Sequence, residues 1–382
     1  MSKRPAFLDR TAIVGVGFSD LSRNSGRSVL ALAADAVRAA IADAGLETSD
    51  IDGIATFSWQ NDSVPAQAVA TTLGVPRLNY ILDAAMGGQA PCHLVAQAAM
   101  AVEAGLASHV VVYRALNGRS GLRVGRVRPS GGASNYRLPI GLNAYPQVIA
   151  LWARRYMIET DTGPEDLAAV PLSQRRFAAD NPRAMVTRPL TLDSYLAEPF
   201  VADPFRKSDC TSEVDGACAV VVSAADATRV GVGAPIVIHS AAYAAGPQPG
   251  LDAADCQLWG DYTRNYTSHL ADRLWGWSAI RREDLDCAQL YDCFSSSVLL
   301  AIEGLGLAPR GEAADFVREG RLPVNTNGGL LCEGYLHGMN TVAEAVLQLQ
   351  GRAPGYQVAN AASCLVTSGA LMDGSALVLA RS

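Results

Sequence analysis

The chain has 382 residues, of which 49% are apolar and 18% charged, and its formal net charge is −6. This length and composition predict a globular protein of two or three domains, and they exclude a disordered chain. The negative charge disfavours nucleic acid as a partner, and no apolar run approaches the roughly 20 residues that span a bilayer. Because the sequence begins without a long apolar signal segment and contains no Cys-x-x-Cys pair, we expect a cytoplasmic protein with reduced cysteines and no metal site.

Strands and helices alternate along residues 1–115, which we assign to a first α/β half. An apolar, β-branched run at 11–18 predicts a buried strand, and an Ala-rich segment from Ser28 to Gly45 predicts a helix with a serine start and a glycine stop. Further predicted elements are a strand at 51–57, a helix at about 91–103 and a strand at 109–113. The alternation predicts an α/β fold around a mainly parallel or mixed sheet.

The middle of the chain, 116–205, is rich in glycine, proline and arginine, with a short helical pattern from Tyr145 to Met157. We interpret it as a loop domain inserted in the first half and laid over that half. The strand–helix alternation resumes in 206–382, our second half.

A short internal repeat supports a duplicated α/β unit. Residues 45–57 match residues 279–291 position for position, since each segment ends a helix, continues through an acidic turn and begins a strand.

A glycine-rich stretch, Asn325-Thr-Asn-Gly-Gly-Leu-Leu-Cys-Glu-Gly-Tyr-Leu-His-Gly-Met-Asn340, is typical of neither a helix nor a strand. Glycines at this density let a backbone approach a ligand closely. The stretch places Tyr335 and His337 on a tight loop, and a helical pattern begins at Thr341, so backbone N–H groups could face an anion or an oxyanion. A packed turn without function explains the spacing equally well.

This stretch resembles the active-site loop of the thiolase superfamily, which runs Asn-Gly-Gly, four residues, Gly-His. Gly329 and Gly334 match that loop, whereas Tyr335 stands where the histidine would be. The substitution is similar to the lipid-transfer-protein (sterol-carrier-protein-x) type of thiolase-like proteins, which includes the steroid side-chain-cleaving aldolases. The resemblance implies a thiolase fold, with duplicated mixed-sheet halves in αβαβα layers and a loop domain inserted in the first half.

The resemblance also shows what is missing for thiolase chemistry. Gly88 takes the position of the nucleophilic cysteine, so no acyl-enzyme can form there. Cys92 lies about 6 Å farther along the helix axis, too far to replace it, and a buried structural role is favoured. Cys364 falls where thiolases carry a second, acid–base cysteine, and we expect a structural or secondary role for it.

Tyr291 and Asp292 follow a predicted strand at the position where thiolases have an Asn-Glu pair, and the aldolase-like relatives have the same Tyr-Asp pair. Without the resemblance, Tyr291 is simply a core tyrosine with a satisfied hydroxyl. With it, Tyr335 or Tyr291 would remove a β-hydroxyl proton, and the other, with His337 or Asp292, would stabilise or protonate the enolate. We place Tyr335 first as the base, and we expect donors nearby to lower the pKa of the tyrosine.

These substitutions predict a carbon–carbon lyase that cleaves a β-hydroxyacyl-CoA to a ketone or aldehyde and a shorter acyl-CoA without an acyl-cysteine. Two alternatives stay open: an acyltransferase or thiolase that uses Cys92 or Cys364, and a non-catalytic scaffold subunit. The chain carries no cofactor of its own, since coenzyme A enters with the substrate. The substrate-contacting residues would then be Gly88, Gly329, Gly334 and Cys364.

By the same resemblance we expect a homodimer and a small partner protein with a zinc ribbon and an OB-like domain. Five arginines at the start of the Gly-rich region could meet the coenzyme A phosphates, or could be solvated or form a subunit contact, namely Arg114, Arg119, Arg123, Arg126 and Arg128.

Overall fold

The structure is a computed structural model that describes residues 3–121, 123, 134–226, 231–247 and 259–381. Its strands are β1 (Thr11–Phe18), β2 (Gly53–Ser58), β3 (Tyr80–Ala85), β4 (His109–Asn117), β5 (Phe200–Ala202), β6 (Phe205–Arg206), β7 (Asp215–Ala224), β8 (Ile236–Ala245), β9 (Cys287–Gln289), β10 (Ser363–Ser368) and β11 (Asp373–Arg381). Its helices are α1 (Val29–Asp43), α2 (Ala66–Leu73), α3 (Ala90–Glu103), α4 (Ser134–Arg137), α5 (Tyr145–Thr160), α6 (Pro164–Ala178), α7 (Leu192–Leu196), α8 (Thr267–Gly276), α9 (Ser295–Gly304), α10 (Ala313–Arg318), α11 (Gly329–Cys332) and α12 (Met339–Leu349).

Within these residues, nine strands form one mixed sheet in the order β3-β2-β4-β7-β1-β8-β11-β10-β9. In the first half, β1 pairs antiparallel with β7, β7 pairs antiparallel with β4, and β4 pairs parallel with β2. Because β7 (Asp215–Ala224) pairs inside the first half, that half of the sheet extends past the boundary at 205/206 that we placed from the sequence. In the second half, β8, β11, β10 and β9 repeat the same sequence of pairings. The halves meet where β1 pairs antiparallel with β8, so the sheet shows the duplication that the sequence predicts.

The short internal repeat is confirmed by the positions of matching elements. A 3₁₀ turn at Thr48–Asp50 precedes β2, and a 3₁₀ turn at Arg282–Asp284 precedes β9. The spacing from turn to strand is the same in both halves, which is what a duplicated unit leaves behind.

Two buried helices, α3 and α12, form the centre of the molecule. Every residue of α12 is buried, because its apolar side chains and those of α3 belong to one core cluster with strands of both halves. α3 is less completely enclosed, since its Met100 is 38% exposed, but helices buried to this extent are held by packing rather than by helix propensity. Their N-terminal ends are therefore fixed points on which a site can be built.

The middle segment packs differently from our expectation. Side chains of α5, including Trp152, share a buried cluster with Phe294 and Leu371, and α6 shares another with α9 and α10. These partners all lie in 206–382. The loop region therefore rests mainly on the second half, because the apolar faces of α5 and α6 find their cover there, although Tyr145 also contacts Trp59 of the first half.

None of the helices in the described ranges is both long and apolar enough to cross a membrane.

Candidate active site

The glycine-rich stretch folds as the short helix α11 followed by a turn that leads into α12. Three residues of this turn have positive φ angles, which few residues other than glycine adopt. They are Gly334 (φ +152°), His337 (φ +51°) and Gly338 (φ +85°). The N–H of Tyr335 donates to the carbonyl of Ser212 at 2.8 Å. The turn is thereby held against the segment that leads into β7, and one loop carries the side chains of Tyr335 and His337.

A second loop, after β9, carries Tyr291 to the same place. Asn325 ties the two loops together, because its Oδ1 accepts from the Leu290 N–H at 2.7 Å and its Nδ2 donates to the Leu290 carbonyl at 2.9 Å. As a result the hydroxyl oxygens of Tyr291 and Tyr335 lie 2.8 Å apart, in hydrogen-bond contact. The sequence prediction that both tyrosines belong to one site is consistent with this geometry.

Gly88, just before α3, lies beside the two tyrosines and is the third residue of this site. A Cβ atom built at Gly88 would lie 1.8 Å from the hydroxyl oxygen of Tyr291 and 2.3 Å from its Cζ. No side chain fits there, since carbon and oxygen atoms in contact stay more than about 3 Å apart. The end of the Tyr291 side chain therefore occupies the space into which a residue at 88 would extend.

Asp292 has a supporting position. Its carboxylate accepts from the Leu330 N–H at 3.0 Å and from the Leu331 N–H at 3.2 Å, at the start of α11. Burial raises the pKa of Asp292 to about 7. A Cβ at Gly329, where φ is +63°, would lie 2.2 Å from Oδ2 of this carboxylate, so the glycine is required for the carboxylate to reach the loop.

His337 contacts both a tyrosine and a buried cation. Its ring centroid lies 4.6 Å from that of Tyr335. Its Nδ1 accepts from Arg114 at 2.7 Å (Nη2) and 3.2 Å (Nε). Arg114 in turn donates to Asp62 Oδ2 at 2.5 Å and to the Phe57 carbonyl at 3.0 Å. Burial, and then the charge of Arg114, hold the pKa of His337 well below its usual value.

The pKa values of the two tyrosines depart from our expectation. Burial raises the pKa of Tyr335 and of Tyr291 well above the ordinary value of a phenol, because the side chains are almost covered, with 8% and 3% exposed. The prediction that nearby donors lower the pKa of the base is therefore wrong for this structure. A pKa raised in this way favours the neutral hydroxyl form of both tyrosines.

The two candidate cysteines are buried in the core. Cys92 Sγ accepts from the Ser368 hydroxyl at 3.1 Å, and burial raises the pKa of its thiol to about 12. Cys364 lies on β10 opposite Cys287 of β9, and burial raises its pKa well above the ordinary range. A thiol that does not ionise is a poor nucleophile and a poor acid–base group. The substrate-contacting position predicted for Cys364 finds no support in these contacts.

The arginines predicted for coenzyme A divide into three groups. Arg114 is fully buried, so its assignment to a phosphate of a ligand is wrong, and its place beside His337 is a role that sequence reasoning missed. Arg119 is exposed, and Arg123 pairs with Glu213. Arg126 and Arg128 lie outside the described residues. Among the residues that are described, no group of three or more His, Cys, Asp or Glu is placed to hold a metal ion.

Sequence features could have identified Arg114. It is the one charged residue inside the apolar strand β4, and a charge in such a strand requires a buried counter-charge. Asp62 gives no comparable signal, because it lies in a polar loop segment after β2.

Comparisons with known proteins agree on one family. The family model described as "Thiolase C-terminal domain-like" matches residues 253–381. The chain is 39% identical to a 17-hydroxy-3-oxo-4-pregnene-20-carboxyl-CoA lyase of Mycobacterium tuberculosis, over 97% of this chain and 99% of that protein. It is also 39% identical to a steroid side-chain-cleaving aldolase of Thermomonospora curvata, over 96% of this chain and 97% of that protein. The solved structure of an Ltp2-ChsH2(DUF35) aldolase superposes with a TM-score of 0.91 at 38% identity and covers 99% of both chains.

Proposed function

The chain belongs to the thiolase superfamily, in the family of the steroid side-chain-cleaving aldolases, and we propose that it is a carbon–carbon lyase that cleaves a β-hydroxyacyl-CoA thioester by a retro-aldol reaction. The products are a ketone or aldehyde and a shorter acyl-CoA. The observation that carries the proposal is the hydrogen bond between Tyr291 and Tyr335 beside Gly88. A pair of hydroxyls stands where a thiolase needs a thiolate, and no acyl-enzyme is required.

The hydroxyl pair suits a reaction that needs no net proton. When the Cα–Cβ bond breaks, its electrons pass to the thioester as an enolate and the β-hydroxyl becomes a carbonyl. Tyr335 takes the β-hydroxyl proton as its own proton passes to Tyr291, and the proton of Tyr291 goes to the α-carbon. One proton leaves the substrate and one returns, so neither tyrosine has to exist as a tyrosinate. The raised pKa values of the tyrosines therefore do not prevent them from acting as acid and base, because neither has to lose its proton without gaining another.

The enolate oxygen needs a hydrogen-bond donor. His337 lies next to Tyr335 and is neutral, so its free Nε2–H can donate to the thioester oxygen. Asp292 does not share this role in the proposal, because both of its oxygens are engaged by the N–H groups of α11. Its part is to hold the loop that carries Tyr335, with Gly329 as the residue that admits it. Gly334 supplies the backbone angle that turns the chain toward Tyr335.

We place the coenzyme A arm in a cavity of about 910 Å³ beside α5. Three guanidinium groups line it, from Arg137, Arg155 and Arg310, together with the carboxylates of Glu159 and Asp261. Arg155 is paired with Glu159, but guanidinium groups outnumber carboxylates, and guanidinium groups bind phosphates well. Trp152 belongs both to the cavity wall and to the buried cluster that contains the two tyrosines. A thioester whose phosphates lie among the arginines could therefore extend toward the hydroxyl pair.

For the acyl group we propose a large, rigid hydrocarbon such as a steroid. Aromatic side chains surround the tyrosines: Trp152 packs on Trp259 with ring centroids 5.3 Å apart, and Phe205 stacks on Phe294 at 4.8 Å. These rings are buried against one another, and aromatic side chains are the kind that contacts polycyclic hydrocarbon well. The relative from Mycobacterium tuberculosis is named for a steroid thioester with a hydroxyl group, and this favours the same class here.

We further propose that the chain works in the cytoplasm as a homodimer with a small partner of the zinc-ribbon and OB-fold type. The name of the similar aldolase, Ltp2-ChsH2(DUF35), joins two components. Exposed apolar side chains at Tyr136, Ile140 and Ile158 offer a contact surface. For the homodimer, β3 is an edge strand of the sheet with Ile81 42% exposed, and edge strands pair readily with another chain.

The test is a mass-spectrometric product assay with a panel of β-hydroxyacyl-CoA thioesters, steroidal, aromatic and aliphatic, with and without the co-expressed small protein. Release of a ketone or aldehyde and a shorter acyl-CoA without added free CoA is the expected result. Cleavage that requires free CoA would establish thiolysis and overturn the proposal. Size-exclusion chromatography with light scattering measures the subunit composition of the active species in the same samples.

A further inference from the structure

We infer that Arg114 and Asp62 are positioning residues for the cleavage reaction: together they fix His337 as a neutral imidazole whose proton is on Nε2. The inference rests on the proposed function only for the catalytic use of that proton. The state of the ring follows from contacts among residues of β4, of the loop after β2 and of the loop before α12.

The tautomer is determined by which atoms can donate. An arginine side chain has five N–H donors and no acceptor, so a ring nitrogen 2.7 Å from its Nη2 has to accept. That nitrogen is Nδ1 of His337, which also receives the Nε–H of Arg114 at 3.2 Å. A neutral imidazole has one proton, and with Nδ1 as an acceptor the proton lies on Nε2. Protonation of Nδ1 would bring two cations together in a buried place and break both contacts.

The guanidinium group of Arg114 is itself held by hydrogen bonds and by contact with an aromatic ring. Asp62 Oδ2 accepts from Nη2 at 2.5 Å, the Phe57 carbonyl accepts from Nη1 at 3.0 Å, and the Phe57 ring lies 5.0 Å from the guanidinium carbon. Asp62 is fixed in its turn, because its Oδ1 accepts from the Trp59 N–H at 2.9 Å. The Arg114 and Asp62 side chains are 0% and 2% exposed, so water does not compete for these donors.

The backbone of His337 points to the same conclusion. A non-glycine residue at φ +51° is uncommon and persists where the surroundings hold it. Here the ring is fully buried between Tyr335 and the edge of Phe57, and Arg114 holds its Nδ1 side. With one nitrogen engaged from the protein side, the other is the nitrogen left to serve a ligand. Asp62, Phe57 and Arg114 of the first half thus determine which ring nitrogen of His337, on a loop of the second half, carries the proton.

The opposite charges of Arg114 and Asp62 compensate each other in the buried site. A buried ion pair stabilises little by itself, whereas loss of one partner leaves an uncompensated buried charge. The variant that tests the inference therefore changes both residues, Arg114→Met with Asp62→Asn, so that no lone charge stays buried and the asparagine can still accept from Trp59. Circular dichroism and thermal unfolding establish that the double variant is folded, and Arg114→Lys serves as the conservative variant that keeps a positive charge and N–H donors without the planar guanidinium fork.

The first measurement is the ¹⁵N spectrum of histidine-labelled protein, with the His337 signals assigned from His337→Gln. In the wild type we expect Nδ1 without a proton and Nε2 with one, from pH 6 to 9. In the double variant we expect a mixture of tautomers and a His337 pKa moved up toward 6.5, with Arg114→Lys intermediate. A wild-type Nδ1 that carries the proton, or a double variant whose tautomer is unchanged, would overturn the inference.

The second measurement is the rate of cleavage in the same variants. Loss of a well-placed donor costs kcat roughly a hundredfold, with KM little changed, and Arg114→Lys should recover part of it. If Arg114 and Asp62 had only a structural role, the relative effects on kcat and KM and the pH profile would stay unaltered. Full kcat in the double variant would contradict the inference. The exposed pair Arg321–Glu319 provides the control, since Arg321→Met with Glu319→Gln should alter neither the spectrum nor the rate. If the wild type shows the Nε2 tautomer but releases no ketone or aldehyde, the reaction assignment falls and the assignment of the ring stands.

Discussion

Tyr291 fills the space beside Gly88: its phenol oxygen lies 1.8 Å from the position that a β-carbon at residue 88 would take, so Tyr291 and a side chain at position 88 exclude each other. A nucleophile on the helix and a tyrosine from the opposite half cannot occupy this site together. The change from acyl transfer to aldol cleavage is thus a change in which half of the molecule supplies the reactive atom.

The first prediction concerns Gly88→Ala. The added methyl must displace the Tyr291 hydroxyl from Tyr335, and a misplacement of about 1 Å is enough to reduce kcat roughly a hundredfold. Overpacking should also cost about 1–3 kcal/mol of stability, measured by thermal and denaturant unfolding. Gly87→Ala is the matched control, because its Cβ would lie 3.2 Å from Oε1 of the flexible Gln89 side chain and at an ordinary contact distance of 3.6 Å from Cδ1 of Trp59. Equal rates in the two variants would show that the space at position 88 is not limiting.

A second prediction addresses the hydroxyl pair. Tyr335→Phe and Tyr291→Phe each interrupt the proton path, so each should lower kcat by about 10²- to 10⁴-fold, the usual contribution of positioned acid–base groups. The double variant should be little worse than either single one, since residues that act as a unit are not additive. In mixtures of H₂O and D₂O the wild-type rate should curve with deuterium fraction, as expected when more than one proton moves in the same step. Tyr335→Phe with near wild-type cleavage contradicts the proposal.

The pH dependence of kcat separates a neutral pair from a tyrosinate. Burial raises the pKa of both tyrosines and lowers that of His337, so none of the three should titrate between about pH 6.5 and 9. Asp292, which holds the loop of Tyr335, has a pKa of about 7, so we expect kcat to be flat from about pH 8 to 9 and assign any change below about pH 8 to Asp292. A tyrosinate base would instead make the rate rise tenfold per pH unit on the way to its pKa, and such a slope would require a different mechanism.

Cysteine substitutions test the absence of covalent catalysis. Cys92→Ala and Cys364→Ala should each retain kcat, with some loss of stability because a buried sulfur leaves a small cavity. Mass spectrometry of wild-type enzyme quenched during turnover should show no protein-bound acyl group. Stoichiometric acylation of either thiol, lost in the matching variant, would restore the acyltransferase alternative.

Glu344, on α12, predicts a pH dependence of stability. Burial raises its pKa to about 7 from an ordinary value of 4.5, so the folded state binds more protons than the unfolded state between these values. The free energy of unfolding should therefore fall as pH rises from about 4.5 to 7. Glu344→Gln keeps the contact with the Thr326 hydroxyl and should flatten this slope, by up to about 3 kcal/mol. Denaturant unfolding of both proteins at pH 5 and 8 measures the difference, and parallel curves would contradict the assignment.

The elements of the fold were largely predictable, because α1 has a capping Ser28 and a following Gly45, and β1 and β7 are continuous apolar strands. Those signals are local. The placement of α5 and α6 on the second half was not predictable, since it depends on which distant apolar surface their own apolar faces meet, and no nearby residue encodes that choice.

The site divides in the same way. Tyr291 and Tyr335 could be named because each stands at a recognisable position in its own loop. Their pKa values could not be anticipated, since burial of the phenols is a property of the packed molecule. Arg114 was assigned to a ligand because a cluster of arginines in the sequence resembles an anion site, whereas the pairing with Asp62 connects two segments that only the fold brings together.

The antiparallel pairing of β1 with β8 has a consequence for how substrate arrives. Because hydrogen bonds of one continuous sheet join the halves, the two halves are not free to swing apart like the lobes of a hinged enzyme. The tyrosines are nonetheless almost completely shielded from solvent. Because side chains of α5 share the buried cluster of the two tyrosines, we expect substrate to enter through local movement of the segments that cover them and not through separation of the two halves.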